Sequence, residues 1–188
     1  MKSTHEIAGH LGSEGENIIV SFFKAAGFRS LPDEKSLVHS RKKFCPDNPQ
    51  SNVEFLKNIG GGSPVFITQV IVCRSIYGHP WKADIFAYCP VRFPNGLIVE
   101  SKRQTTSGSV DEKLPFVVLS MNQADQYNCL LSILGGGMRP VATDWAKKYS
   151  ARHVSVALSE SDVRKYIKDP RAKKEQTLGH TDPQTRLI

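Results

Sequence analysis

Cysteine is scarce in this chain of 188 residues, and the four it has, Cys45, Cys73, Cys89 and Cys129, are widely scattered. No Cys-x-x-Cys pair exists and none of the six histidines has metal-ligand spacing, which argues against a zinc site and against a disulfide framework. Reduced, mostly buried thiols are expected. Long apolar runs are also missing: none reaches the roughly 18 residues of a membrane span, and the opening "MKSTHEIAGHLGSEGE" lacks the apolar stretch of a secretory signal. These absences predict a cytoplasmic protein with no membrane partner. The glycine runs Gly60-Gly61-Gly62 and Gly135-Gly136-Gly137 lack the lysine and the strand-to-helix setting of a phosphate-binding loop, so they read as turns. No internal repeat and no Ser/His/Asp arrangement is visible. Acid is the last shortage, with 18 Asp and Glu against 25 Lys and Arg, a net charge of +7. That surplus favours a polyanionic partner, nucleic acid first, because each phosphate contact releases condensed counterions; a merely basic soluble protein has the same balance.

What is present suits one domain, since the length supports a single hydrophobic core and is short for two. Residues 14–26, "EGENIIVSFFKAA", carry Ile19, Val20, Phe23 and Ala26 on one helical face, and Gly27 follows as a stop. Residues 29–64 hold "SRKKF", "PDNPQSN" and "GGGSP", whose turn residues break every periodic pattern; they predict an inserted loop region with a short helix over 53–58. "PVFITQVIVCRSIYG" and "WKADIFAYCP" read as strands joined by a turn at "GHP", and "RFPNG" marks a second turn before a third strand, "LIVESKR". An antiparallel meander is expected. Ser109-Val110-Asp111-Glu112 has the form of a capping box opening a helix that continues through "PFVVLSMNQA". "NCLLSIL" then reads as a buried strand, "RPVATDWAKKYS" as a helix with Pro140 in its first turn, "HVSVALS" as a last strand, and 160–167 as a helix capped by Ser159. This order implies an α/β fold, a mixed sheet flanked by helices on both faces, over residues 1–168. Residues 169–188 read as a basic, mobile tail with few apolar residues to bury.

At the end of the apolar run "LIV", Glu100 and Lys102 stand two residues apart and so point to one face of the strand, with Val99 and Ser101 on the other. Taken alone, Glu-x-Lys fits an exposed ion pair at a frayed strand end. Asp84 changes the weighing, because it lies among apolar residues in "KADIFAY" on the preceding strand, and a buried carboxylate needs a partner or a metal. Whether the three groups meet depends on the turn. A two-residue hairpin at Asn95-Gly96 would set Asp84 opposite Ser107, whereas a longer loop over roughly 90–94, favoured by Pro90 and Pro94, sets Asp84 opposite Glu100 or a neighbour. The longer loop is the expectation here. Two carboxylates beside a lysine suit Mg²⁺, a hard cation that takes one or two protein carboxylates together with waters and phosphate oxygens. Asp84 and Glu100 would be its ligands, and Lys102 would position a water or neutralise charge growing on a phosphate.

"KADIF" with Asp84, "VESK" with Glu100 and Lys102, and the preceding helix "GENIIVSFFKAAGF" with Glu16 together resemble the PD-(D/E)xK nuclease superfamily, the restriction-endonuclease-like fold. "GSVDEKLPF" is similar to a segment that follows the Glu-x-Lys strand in a group of bacterial nucleases. The resemblance covers residues 12–167 apart from the inserted region, and Ala83 stands where the nominal motif has proline. It implies a Mg²⁺-dependent DNA endonuclease, with Mn²⁺ able to substitute, that leaves a 3′-hydroxyl and a 5′-phosphate. Asp84 and Glu100 would hold the metal and Lys102 would assist the attacking water. The same core supports a structure-selective nuclease such as a Holliday-junction resolvase, or a DNA-binding module without catalysis. A homodimer is the expectation for double-strand cleavage, because the two scissile bonds are related by a two-fold axis.

Further candidates lie around this triad. Glu16 faces the sheet with Ile19, Val20 and Phe23, where it would reach the metal or one of its waters, or else is a first-turn carboxylate favoured by the helix dipole. Gln104 shares the side of Lys102 and is a candidate for substrate or water contact. Arg41, Lys42 and Lys43 in the inserted region, and Lys113 after the active strand, are either DNA-backbone contacts or solvated charges. Gln123 and Tyr127 fit the Gln-x-x-x-Tyr pattern of the exonuclease branch, but "NQADQYN" reads as the polar end of a helix.

Overall fold

The computed structural model describes residues 4–31, 44–106 and 110–170, with side chains from residue 14 onward. In chain order the elements are α1 (Thr4–Ala25), β1 (Arg29–Ser30), α2 (Pro49–Gly60), β2 (Val65–Arg74), β3 (Pro80–Cys89), β4 (Phe93–Arg103), a 3₁₀ turn (Asp111–Lys113), α3 (Leu114–Gln123), β5 (Asn128–Leu134), α4 (Pro140–Tyr149), β6 (Val154–Ala157) and α5 (Glu160–Lys168). The six strands form one sheet in sequential order, β1 to β6. β2, β3 and β4 make the expected antiparallel meander, while β1 joins β2, and β5 and β6 follow β4, in parallel. Parallel neighbours require crossovers, and α2, α3 and α4 supply them.

Those helices bury Val53, Leu56, Leu114, Val118, Met121 and Ala146 against one face of the sheet. On the other face α1 and α5 bury Ile19, Phe22, Phe23, Val163, Tyr166 and Ile167. The α/β architecture covered on both faces is therefore as the sequence implies. Strand β5 is buried almost throughout and accordingly reads as a continuous apolar run. Ser159 accepts the Asp162 N–H (3.1 Å) as the N-cap of α5, and Pro140 and Pro115 occupy the first turns of α4 and α3. Ser109 lies outside the described residues; the helix expected to follow it starts at Leu114, after the 3₁₀ turn.

Three elements depart from the sequence expectation. Helix α1 begins at Thr4 instead of residue 14, running through glycines that lower helix propensity. Helix α2 spans 12 residues, not six, because Asn48 caps it by accepting the Ser51 N–H (3.0 Å), Pro49 starts it, and Gly61 closes it. The described part of 29–64 is thus packed structure, with Leu31, Phe44, Val53 and Leu56 in the core. The turn between β3 and β4 lies at residues 90–92, and Asn95-Gly96 is inside β4. Between the pairs Ala87↔Leu97 and Cys89↔Phe93 the register shifts, forming a bulge at 94–96. Gly96 takes φ +84° there, and a Cβ would come within 2.9 Å of the Phe86 ring and 3.2 Å of Tyr127.

Buried Asn52 ties α2 to the sheet. Its Nδ2 donates to the Cys45 carbonyl (2.8 Å) and the Tyr127 hydroxyl (3.0 Å), and its Oδ1 accepts the Cys45 N–H (2.8 Å). Tyr127 in turn donates to the Val72 carbonyl (3.2 Å). Asn52→Ala strands several buried polar groups and should lower stability by about 2–4 kcal/mol in chemical denaturation.

Candidate active site

The β3–β4 ladder ends at Ile85↔Val99. One step further the register carries Asp84 opposite Glu100, but there the Asp84 side chain replaces a ladder bond: its Oδ2 accepts the Ser101 N–H at 2.8 Å. Beyond this point the described pairing between the two strands stops, and a fork opens in the sheet. Glu100 is 3% exposed and alternates with Val99 and Ser101, as does Lys102. The Lys102 Nζ donates to Glu100 Oε2 at 2.8 Å and lies 3.4 Å from the Ser101 carbonyl. The three groups inferred from sequence therefore meet at one place.

Burial dominates the electrostatics of Glu100, pushing its pKa up to about 7; Lys102 opposes the shift and the charge of Asp84 adds to it. For Lys102, burial alone would favour the neutral amine, but the charges of Glu100 and Asp84 outweigh it and hold the pKa above its ordinary value. Lys102 is thus a cation in the fork. A partly buried pair of this kind is poor evidence for stability, and its retention in the sheet is better understood through chemistry.

Glu16 reaches the same place from α1. Its Oε2 accepts the Gln69 Nε2 at 2.8 Å, and that nitrogen also lies 3.3 Å from Asp84 Oδ1. The pKa of Glu16 is raised, by burial first and by Asp84 as well, against the lowering effects of Gln69 and Lys82. With twelve residues of helix ahead of it, Glu16 is no first-turn carboxylate and the dipole explanation falls away. α1 comes this close because residue 15 is glycine: a Cβ there would lie 2.7 Å from Ser101 Oγ and 3.1 Å from Arg103 Cβ. Arg103 also pairs with Glu14, fastening the helix to the end of β4.

Gln69 is the residue that sequence reasoning missed. Its one signal was a long polar side chain inside the apolar run "VFITQVIV", and an isolated glutamine in a strand is easily passed over as solvent-facing.

The other candidates are placed less centrally. Gln104 is buried, with its Nε2 donating to the Gly137 carbonyl (3.1 Å) and its Oε1 accepting the Val110 N–H (3.2 Å). Both ends of its amide brace loops, one bond at each. Lys113 is exposed at the end of the 3₁₀ turn. Arg41, Lys42 and Lys43 lie outside the described residues. Gln123 is exposed at the end of α3 while Tyr127 is committed to the Asn52 network, so the Gln-x-x-x-Tyr pattern forms no site. The cysteines are free, with Cys73, Cys89 and Cys129 buried.

The donor set suits a hard divalent ion. Glu100 Oε1 is buried without a hydrogen-bond partner, an uncompensated carboxylate oxygen beside a second carboxylate. Among the described residues no group of three or more His, Cys, Asp or Glu could hold a metal, so Asp84 and Glu100 could supply two ligands and water or substrate the rest. Comparison with known proteins agrees with this chemistry: the family model described as PD-(D/E)XK nuclease superfamily domain matches residues 8–168. No curated protein and no solved structure gave a significant match.

Proposed function

The chain belongs to the PD-(D/E)XK nuclease superfamily, and from that premise we propose that it is a Mg²⁺-dependent DNA endonuclease, most like a small bacterial restriction-type enzyme. The observation that carries this reading is the fork itself, where Glu100 offers an unpartnered buried oxygen next to Asp84 while Lys102 stays charged. Asp84 and Glu100 are assigned as metal ligands, with Mn²⁺ able to replace Mg²⁺. The bound ion supplies Lewis-acid polarisation of the scissile phosphate and makes water a better nucleophile. Lys102 contributes a fixed positive charge and N–H donors where negative charge grows on the phosphoryl oxygens. Water oxygen bonds to phosphorus, the bond from phosphorus to the 3′-oxygen breaks, and that oxygen takes up a proton. The products are a 5′-phosphate and a 3′-hydroxyl.

The surplus of basic residues supports a DNA partner, and no described helix is long and apolar enough to cross a membrane. A cytoplasmic setting and a two-fold dimer for double-strand cutting complete the proposal. Incubating the protein with plasmid, a four-way junction and single-stranded DNA, in Mg²⁺ or EDTA, tests it. Mg²⁺-dependent cutting of plasmid supports the endonuclease, cutting confined to the junction replaces it with a structure-selective enzyme, and binding without cutting any substrate replaces it with a binding module.

DNA binding in Ca²⁺ should weaken steeply with salt. Replacing Arg41, Lys42 and Lys43 by alanine should flatten that dependence by up to about three units of log–log slope, as lost phosphate contacts require. An unchanged slope removes this segment from the interface.

A further inference from the structure

Among the described residues Gln69 is the only one other than glycine held at positive φ, 55°. The left-handed region is disfavoured for a residue with an unbranched long side chain and far easier for Gly or Asn, so the backbone alone gives no reason for glutamine. The distortion is shared by two strands. In β2, Val65 and Ile67 face the same core layer as Val70 and Val72, so the alternation slips between 67 and 70. In β3, Ala83 and Phe86 share that layer while Ile85 faces the other, so the alternation slips at Asp84. The pairs Thr68↔Ile85 and Val70↔Ala83 bracket the slip, leaving Gln69 and Asp84 facing one another across the ladder.

What the distortion accomplishes is an amide placed between two acids. Gln69 Nε2 has two hydrogens and two carboxylate acceptors, Glu16 Oε2 at 2.8 Å on α1 and Asp84 Oδ1 at 3.3 Å on β3. With Ser101 N–H on Oδ2, both oxygens of Asp84 are held by donors from neighbouring strands, which fixes the plane of the carboxylate. A lysine or arginine could bridge the same acids, but its charge would compete with a divalent cation. An amide orients them and leaves their negative charge in place.

We propose that Gln69 is a positioning residue of the metal site, which fixes Asp84 in its ligating orientation and links Glu16 to it as an outer acid. This rests on the nuclease reading above, with Asp84 as a ligand.

The test uses Gln69→Gly and Gln69→Asn, since both residues accept the left-handed backbone while one lacks the amide and the other is a methylene too short. Mn²⁺ binding is titrated without DNA through loss of the free-ion electron paramagnetic resonance signal. Melting temperature, single-turnover cleavage and DNA affinity in Ca²⁺ are measured alongside. The proposal expects Mn²⁺ binding about 10- to 100-fold weaker and a comparable loss of cleavage rate, the range for removing a group that orients a ligand. Melting temperature should stay at or above that of the wild type, and DNA affinity within about twofold. Mn²⁺ binding within twofold of wild type in both variants overturns it, as does failure of both to melt cooperatively, which would make Gln69 a residue of the fold. If only one folds, that one decides. Asp84→Asn is the control: Mn²⁺ lost there but kept in the Gln69 variants defeats this inference alone, and Mn²⁺ kept in Asp84→Asn removes the metal site and this inference with it.

Discussion

Asp84→Asn and Glu100→Gln are each expected to lower the Mg²⁺-supported cleavage rate by more than about a thousandfold while leaving DNA binding in Ca²⁺ as tight as before or tighter. The reasons differ for the two residues. Asp84 is half-buried and already oriented by Ser101 N–H and Gln69, so an amide would keep the shape but present one donor where an anion belongs. Glu100 is buried with one oxygen on Lys102 and one oxygen on nothing, and glutamine would leave that cation in the fork without its counter-charge. DNA affinity survives because removing an acid beside a phosphate takes away repulsion. Single-turnover cleavage and a binding isotherm measure the two halves separately, and wild-type cleavage in both variants would abolish the assignment.

Lys102→Met distinguishes catalyst from brace. A lysine that only paired with Glu100 would be worth little, and its loss would leave the rate within a few-fold of wild type. A lysine acting on the phosphate in the transition state should instead cost about 10²–10³ in rate at saturating Mg²⁺, with DNA affinity little changed. Its Nζ donates to Glu100 Oε2 and lies near a backbone carbonyl, and its side chain remains 21% exposed toward the fork, where a substrate can reach it. A melting curve must accompany the kinetics, because methionine leaves the buried carboxylate alone. A near-normal rate excludes the catalytic role of Lys102.

The site was legible where chemistry and period coincide. Glu100 and Lys102 share a face because strands alternate, and counting across a loop over roughly 90–94 brings Asp84 opposite Glu100, the register that the pair Ile85↔Val99 extends to. The turn is two residues shorter than the loop expected over 90–94, since "PNG" carries a turn signature yet lies within β4, where a bulge makes up the register and Gly96 leaves room for Phe86 and Tyr127. The length of α2 was hidden by proline and glycine that mark its ends, at Pro49 and Gly61, and so looked like loop punctuation. Gln69 was not readable, because its φ and its two acceptors come from three elements that meet only in the folded sheet. Gln104 illustrates the converse. It stands one residue past the end of β4, and the partners that claim its amide, Val110 and Gly137, come from later in the chain and leave no mark on the strand's own pattern.

Gly15 sets a clearance. Helix propensity favours alanine there by about 1 kcal/mol, so a table of preferences would recommend the substitution as a gain. The space beside it says the opposite: a Cβ there would lie 2.7 Å from Ser101 Oγ and 3.1 Å from Arg103 Cβ, so one methyl group forces these side chains or α1 to shift, and a shift of α1 moves Glu16 relative to Gln69. Such a change touches neither ligand nor lysine, yet it alters the distance between the outer acid and the amide that holds it. The outer acid thus depends on the missing side chain one position before it as much as on its own carboxylate.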